Sequence, residues 1–464
     1  MGNIKPKELK RLGYTDDIAR SMVTEIVAKH CKHTSEEEII ATLQDLHKHP
    51  ENYKDDKVWG KVAEVLSPSK VEVSTYELRA TSLPYAIYGA EDIDQLAKSQ
   101  MEMAMRLPIT VSGALMPDGC AAYGLPIGGV LVTTDNVVIP YAVGKDIGCR
   151  MSLTILDAEA DFLERHQDRA VEALINNTAF GFDGILPYKQ YHQLFDRSEF
   201  KDIPILKKLR EKAVRQLGSS GKGIHFVDIC EVELPPTNAL NIPEGKYIGI
   251  LSHSGSRGLG AAIADHYTTI AKETCKLPRQ AGPFAWLSLN TEAGQEYWKC
   301  MEIAGEYSAI NHDCIHYNVA KALRLKPLGN VSNHHNFAWR ERLPDGREII
   351  IHRKGATPAH CGELGIIPGS MATPGYIVSG KGVDSLFSAS HGAGRKMSRL
   401  EAKNSISRYA LKKYLAEKNV ILIGGTIEEA PQAYKDINSV MKSQKDLVNI
   451  EGTIIPRIVR MSEE

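Results

Sequence analysis

The chain has 464 residues with 56 Lys and Arg against 57 Asp and Glu, a formal net charge of −1; it can bury one to three sizeable cores, and no global basic field marks it for nucleic acid. Its eight cysteines, at 31, 120, 149, 230, 275, 300, 314 and 361, form no Cys-x-x-Cys pair, which excludes a zinc ribbon and a disulfide framework. The N-terminus lacks an apolar signal core, and the apolar stretch 123–144 is broken by Thr133, Thr134, Asp135, Asn136 and Pro140, so the expectation is a reducing, cytoplasmic protein without a membrane span.

Residues 1–66 read as helical. Thr34-Ser-Glu-Glu37 resembles a capping box, and Ile39, Ile40, Leu43 and Leu46 follow at helical spacing. His30, His33, His47 and His49 are read as a solvated helical face, because no acidic or thiol partner arrives at ligand spacing. Ser67-Pro-Ser69 reads as a linker, making 1–69 a small helical extension ahead of a domain over 70–464. Val71, Val73 and Tyr76 look strand-like, and a helix is expected around 91–105.

The Gly- and Pro-dense segment Met116–Gly129 predicts a loop with tight turns, followed by strands at Val130–Thr133 and Val137–Pro140. In Val143-Gly-Lys-Asp-Ile-Gly-Cys149, Asp146 and Cys149 stand three apart. A carboxylate and a thiolate at that spacing can grip one borderline metal, and a thiolate can bridge two. On these two residues alone, a buried structural cysteine beside a turn aspartate is the simpler reading.

Helices are predicted over 159–177, 201–217, 293–325 and 399–418. The second is basic, with Lys207, Lys208, Arg210, Lys212 and Arg215, the usual mark of a solvated face. His225 opens an apolar run after Gly218-Ser-Ser-Gly, His253 ends another before Ser-Gly-Ser-Arg257, and His335 lies in Asn333-His-His-Asn336. His391 precedes Gly392-Ala-Gly394, with Arg395 and Arg399 behind it. Glycines so spaced can turn backbone N–H groups inward as an anion nest, and a neutral imidazole at its mouth is a competent nucleophile. Taken singly, each histidine reads as a satisfied core residue. Four at strand–loop junctions, together with Asp146 and Cys149, are harder to dismiss, and a set of one carboxylate, one thiolate and three imidazoles suits two Mn²⁺, Zn²⁺ or Fe-type ions bridged by sulfur. Two-metal sites are typical of phosphoryl transfer. Leu422–Gly425 reads as a short strand and turn, and Ala430–Asp436 opens a last helical segment. Strands alternating with helices suggest an α+β fold with sheet layers covered by helices.

Taken together, Met-Pro-Asp118, Tyr123–Gly129, Val143–Cys149, His225-Phe226, His253–Arg257, His334–Asn336, His352–Thr357, Pro368–Met371 and His391–Arg395 resemble the RtcB family of RNA ligases over about residues 76–461. The resemblance implies that family's α+β fold and a GTP- and Mn²⁺-dependent enzyme. Such an enzyme joins RNA 3′-phosphate or 2′,3′-cyclic-phosphate ends to 5′-hydroxyl ends, in tRNA splicing or RNA repair. It implies that Asp146, Cys149 and His225 hold one ion and Cys149, His253 and His335 the other, and that His391 carries GMP. By the same resemblance Ile224, Phe226, Asp228, Asn336, Pro368, Gly369, Ser370, Met371, Gly375, Gly392, Ala393, Gly394 and Tyr434 shape the nucleotide pocket, while Arg257, Lys354, Arg395 and Arg399 hold RNA phosphates. An RNA partner, an activating protein such as some relatives use, and a monomeric chain are further expectations. Ile224 replaces the family's usual Asn, Asp228 its Glu, Cys120 a His, and Arg460-Met461 its terminal Lys-Gly, which marks a divergent branch. Two other readings fit the same residues: a metal-dependent phosphoesterase acting on RNA 3′ ends, and a non-catalytic binder of those ends.

Overall fold

The computed structural model describes residues 4, 6–31, 34–66, 73–343, 345–383 and 385–463. Two compact units emerge, Met1–Val73 and Ser74–Glu464. Ser67-Pro-Ser69, Val71 and His33 lie outside the described residues.

The first unit packs the helices Pro6–Arg11, Asp17–His30, Glu36–Lys48 and Gly60–Leu66 around Leu9, Tyr14, Val23, Leu43, Leu46 and Trp59. The capping box falls one residue later than expected. Ser35 Oγ accepts from the Glu38 N–H at 3.3 Å and Glu38 Oε2 accepts from the Ser35 N–H at 3.1 Å. His30 and His49 are exposed as predicted, but His47 is not: its Nε2 meets the Gly13 carbonyl at 3.0 Å and its ring lies against Tyr14.

The second unit holds two large sheets. In the first, the strands run in the order Pro327–His334, Arg150–Glu159, Gly245–Ser254, Phe226–Leu234, Val448–Met461, Gly375–Gly380 and Leu364–Ile367, with Ile421–Ile423 added alongside Val448–Met461. The second orders Asn336–Arg342, Glu348–Lys354, Ile127–Thr134, Thr110–Cys120 and Ala86–Ile87. Helices cover both, the longest being Glu292–Leu323. The α+β expectation therefore holds.

Several local expectations do not. Met116–Cys120 is not loop but the end of the Thr110–Cys120 strand, whose register shifts between Leu115 and Cys120. Such an irregularity accommodates Pro117, which has no N–H for the ladder. Only Val137–Val138 pairs as a strand, and Pro140 heads a short helix, Pro140–Val143, where its missing N–H is harmless. The predicted helix 399–418 divides into Arg399–Ser405 and Arg408–Glu417, because Ser407 caps the second half by accepting the Ala410 N–H at 3.1 Å. Val73 is exposed and precedes the two-residue strand Ser74–Thr75. The final strand Val448–Met461 was not anticipated; it runs mid-sheet although it contains Pro456, which sits at another register shift.

Topology gathers the site. Cys149 immediately precedes Arg150–Glu159, His253 is the penultimate residue of Gly245–Ser254, His225 immediately precedes Phe226–Leu234, and His335 immediately follows Pro327–His334. In this order of antiparallel neighbours, Met151 pairs with His253, His253 with Phe226, and Asn333 with Met151. The start of each strand thus meets the end of the next, and four side chains far apart in sequence share one sheet end.

Candidate metal and nucleotide site

The metal-type donors converge. His253 Nε2 lies 3.2 Å from Cys149 Sγ and 3.2 Å from His335 Nε2. His225 Nε2 lies 3.5 Å from Cys149 Sγ and 3.0 Å from Asp146 Oδ2. Two sets result, Cys149–His253–His335 and Asp146–Cys149–His225, with the donor atoms of each within 4.8 Å of one another. Cys149 is common to both, the arrangement the sequence suggested.

Backbone geometry builds the cluster. The Cys149 N–H donates to the Asp146 carbonyl at 3.1 Å, closing a turn, and the His335 N–H donates to the Cys149 carbonyl at 3.0 Å. Asp146 Oδ1 accepts the Ser256 N–H at 3.2 Å, an approach open only because a Cβ at Gly255 would overlap that carboxylate.

The electrostatics favour a cation. Burial, then the charges of His225 and His391, hold His253 well below the usual imidazole range. Burial, then His391 and His253, do the same for His335, so both rings are neutral at neutral pH and keep a nitrogen lone pair. Burial and then the Asp146 charge push the Cys149 thiol well up. Burial would also raise Asp146, but hydrogen bonding and charge from His225 outweigh it and keep the carboxyl low. Without a cation the cluster is held by the His225–Asp146 contact and by Cys149 Sγ against His225 and His253; a cation can replace the protons that these contacts share. The mixed N, O and S donor set fits two borderline divalent ions sharing the sulfur.

His391 stands at the edge of this cluster, its ring 4.8 Å from that of His335. Its Nδ1 lies 2.6 Å from Asp118 Oδ2, and the same oxygen accepts the His391 backbone N–H at 3.0 Å. Asp118 is fully buried. A carboxylate at that distance favours the proton on Nδ1 and leaves the Nε2 lone pair free. Sequence reasoning missed this role, although Met-Pro-Asp118 was among the motifs; the segment was read as loop.

A cavity of about 620 Å³ opens beside His391. Its lining includes every residue expected to shape a nucleotide pocket, from Ile224, Phe226 and Asp228 through Pro368–Met371 and Gly375 to Gly392–Gly394 and Tyr434, except Asn336. Asn336 works instead as a brace: its amide accepts the Gly355 N–H at 2.8 Å and donates to the Asp146 carbonyl at 3.3 Å. Asp228 is buried with Oδ1 unpartnered, and burial raises it well above the usual carboxylate range. Glu429, also missed, is buried at the rim, where it takes the Arg395 guanidinium at 2.9 Å and the Tyr434 hydroxyl. Met461 lines the cavity, whereas Arg460 turns away to the Leu174 carbonyl and the Phe180 ring.

The four expected phosphate-binding cations differ in availability. Lys354 is buried and donates to the carbonyls of Tyr123 and Tyr141, and desolvation lowers it to about 8. Arg257 donates to Ser219 Oγ at 3.2 Å and the Gly181 carbonyl at 2.5 Å. Arg395 is held by Glu429 and by the Glu428 carbonyl at 2.7 Å. Arg399, by contrast, is 57% exposed at the cavity rim, with one long contact to Glu429 at 3.4 Å.

The chain is similar in sequence to known RNA- and tRNA-splicing ligases. RNA-splicing ligase RtcB1 of Escherichia coli is 31% identical over 390 residues, covering 77% of this chain and 92% of that protein. The tRNA-splicing ligase RtcB of Nanoarchaeum equitans is 30% identical over 442 residues, 79% of this chain and 92% of the relative. RNA-splicing ligase RtcB of Mycobacterium bovis is 30% identical over 416 residues, 74% and 94% of the two chains. The sequence model of the family described as tRNA-splicing ligase RtcB matches residues 100–203 and 190–461, which take in Asp118, the whole donor cluster and His391, and the chain belongs to that family.

Proposed function

We infer that this protein is an RNA ligase of RNA repair or tRNA splicing. It joins 3′-phosphate or 2′,3′-cyclic-phosphate ends to 5′-hydroxyl ends, using GTP and two Mn²⁺ ions. The catalytic unit of this reading is residues 70–464, acting as a monomer in the cytoplasm, with an activating protein such as some relatives use. Eight free cysteines suit a reducing compartment, and among the described residues no helix is long and apolar enough to cross a membrane.

The observation that carries the reading is His391, braced by Asp118 at Nδ1 and presenting Nε2 beside both the donor cluster and the cavity. Asp146, Cys149 and His225 would hold one ion, and Cys149, His253 and His335 the other. Bound there, the ions would supply charge neutralisation at phosphate oxygens.

The His391 Nε2 lone pair attacks the α-phosphorus of GTP, the bond to the bridging oxygen breaks, and pyrophosphate leaves. Asp118 offsets the positive charge that develops on the ring. An oxygen of the RNA 3′-phosphate then attacks the same phosphorus and the P–N bond breaks, giving RNA-(3′)pp(5′)G. The 5′-hydroxyl attacks the RNA-side phosphorus, loses its proton, and GMP leaves. A 2′,3′-cyclic end is first opened by water. Backbone N–H groups of Gly392, Ala393 and Gly394 and the Pro368–Met371 turn would cradle the triphosphate, and Tyr434 would lie against the base. Arg257, Lys354, Arg395 and Arg399 are the cations of this reading, and the exposed Arg399 is the one best placed to meet an RNA phosphate.

The test is covalent labelling. Protein incubated with α-labelled GTP and Mn²⁺, then denatured, should carry acid-labile, alkali-stable label that is lost in His391→Ala. No label from any of the four nucleoside triphosphates in metal-loaded protein would overturn the reading.

A further inference from the structure

Residues 178–192 form an irregular segment between the helix Phe162–Asn177 and the turn Gln193–Asp196. It is tied down. The Ser220 N–H donates to the Ala179 carbonyl at 2.7 Å, the Gly181 N–H to the Gly221 carbonyl at 3.2 Å, and Gln216 Nε2 to the Phe182 carbonyl at 2.8 Å. Leu186, within the segment, is buried. Yet this anchored segment holds three rings in water: Phe182 at 65%, Tyr188 at 44% and Tyr191 at 60% exposure. Exposed rings on one short, anchored segment offer apolar faces to a ligand.

Cations connect that surface to the cavity. Lys222 Nζ sits 4.2 Å from the centre of the Phe182 ring, and Lys222 is three residues before the donor His225. A Cβ at the adjoining Gly223 would lie 3.6 Å from Arg399 Nη2, so Arg399 at the cavity rim and Lys222 beside Phe182 flank one short turn. The order outward from the cavity is guanidinium, ammonium, aromatic ring. The acid in residues 178–192 is Asp183, and Asp196 beyond it is engaged by the Tyr191 hydroxyl.

We propose that the Phe182–Tyr188–Tyr191 surface is a stacking platform for unpaired nucleotides of the RNA strand whose end enters the cavity, with Lys222 and Arg399 holding the phosphates between. Exposed rings beside cations suit a single strand, whose bases are free to stack, rather than a duplex, whose bases are already stacked. The proposal rests on the RNA-ligase reading and adds to it the form of RNA that is taken: an end with a single-stranded flank.

The experiment measures fluorescence anisotropy of a short labelled RNA ending in a 3′-phosphate, unpaired or annealed to a blunt duplex, with the full-length protein. Unpaired RNA should bind more tightly than duplex. Phe182→Leu, which keeps apolar bulk but not the ring, should weaken it about tenfold, and Phe182→Trp should not. Lys222→Ala should lower the slope of log affinity against log salt by about 0.7. Covalent labelling of His391, which needs no RNA, should be unchanged in all three. Equal binding by Phe182→Leu and wild type, or wild-type preference for duplex, overturns the platform. So does a wild-type dimer in sedimentation that Phe182→Leu dissolves without changing RNA affinity, since the surface would then join copies of the chain. Loss of unpaired-RNA binding in Phe182→Leu supports the platform even if wild type takes no label, in which case only the ligase reading fails.

Discussion

Asp118 and His391, 273 residues apart, meet through a single carboxylate oxygen that engages both the ring Nδ1 and the backbone N–H of the histidine. One bond sets the ring's tautomer and the other its position. Asp118→Asn keeps the shape but offers a neutral amide. It should slow covalent labelling of His391 by about a hundredfold or more, while urea unfolding shifts little. Label formation at the wild-type rate would show that the carboxylate only props the loop.

That loop closes onto Asp118 through a glycine. Gly394 has φ 73°, and a Cβ there would overlap the Asp118 carbonyl oxygen. At Gly392 a Cβ would stand 3.4 Å from the Pro368 carbonyl oxygen, ordinary contact. Gly394→Ala should therefore cost about 2 kcal/mol or more in urea unfolding and depress labelling, through backbone strain and the forced displacement. Gly392→Ala should cost less than half as much.

Cys149 belongs to both donor sets. Cys149→Ala should remove more than one bound ion per chain by elemental analysis after Mn²⁺ loading and gel filtration, whereas His335→Ala should leave the Asp146–Cys149–His225 set able to bind. Because burial and Asp146 keep the thiol protonated without a cation, loading should release about one proton per chain at neutral pH, and affinity should rise with pH. A pH-independent affinity would argue against thiolate ligation.

Acid should destabilise the metal-free protein through histidines it buries neutral. Burial first, then the charge of His316, holds His312 well below the usual range, and burial lowers His316 to about 3 and His352 to about 4. Each has a depressed folded value, so its contribution is complete above the unfolded value of about 6.5 and is lost as pH falls toward 4 and then 3. Each adds a slope of up to about 1.4 kcal/mol per pH unit in that window. Urea midpoints at pH 7, 6 and 5 should fall progressively, and less steeply in His352→Gln.

Glu429 gathers Arg395, Arg399 and the Tyr434 hydroxyl at the cavity rim while itself 2% exposed. Removing a buried partner leaves uncompensated charge, so Glu429→Ala should cost about 3 kcal/mol in stability. It should also raise the GTP concentration needed for labelling, because Tyr434 loses its support. Tyr434→Phe should show the second effect with little of the first.

Much of the site was legible because its chemistry is locally written. Histidines beside small residues at strand ends, an Asp and a Cys three apart, and His391 before Gly392-Ala-Gly394 each carry a short-range signature, and the structure brings these donors together. What lacked such a signature was missed. Pro117 and Gly119 made Asp118 look like loop, although an irregular strand holds it under His391. Glu429 reads as a surface acid in sequence, and only the fold buries it beside Arg395. The resemblance makes Lys354 a phosphate ligand, and only the fold shows that the strand Glu348–Lys354 brings its ammonium to the carbonyls of Tyr123 and Tyr141.

By itself, then, the sequence determined which donor side chains exist and, through its motifs, the family to which the chain belongs, because ligand type and turn-forming neighbours are properties of short segments. Only the tertiary structure decided that Asp118 braces His391, that Arg399 stays exposed while Lys354 is buried, and that Phe182 lies beside Lys222. Those depend on strand register and on burial, which bring together residues hundreds of positions apart and which no short segment encodes.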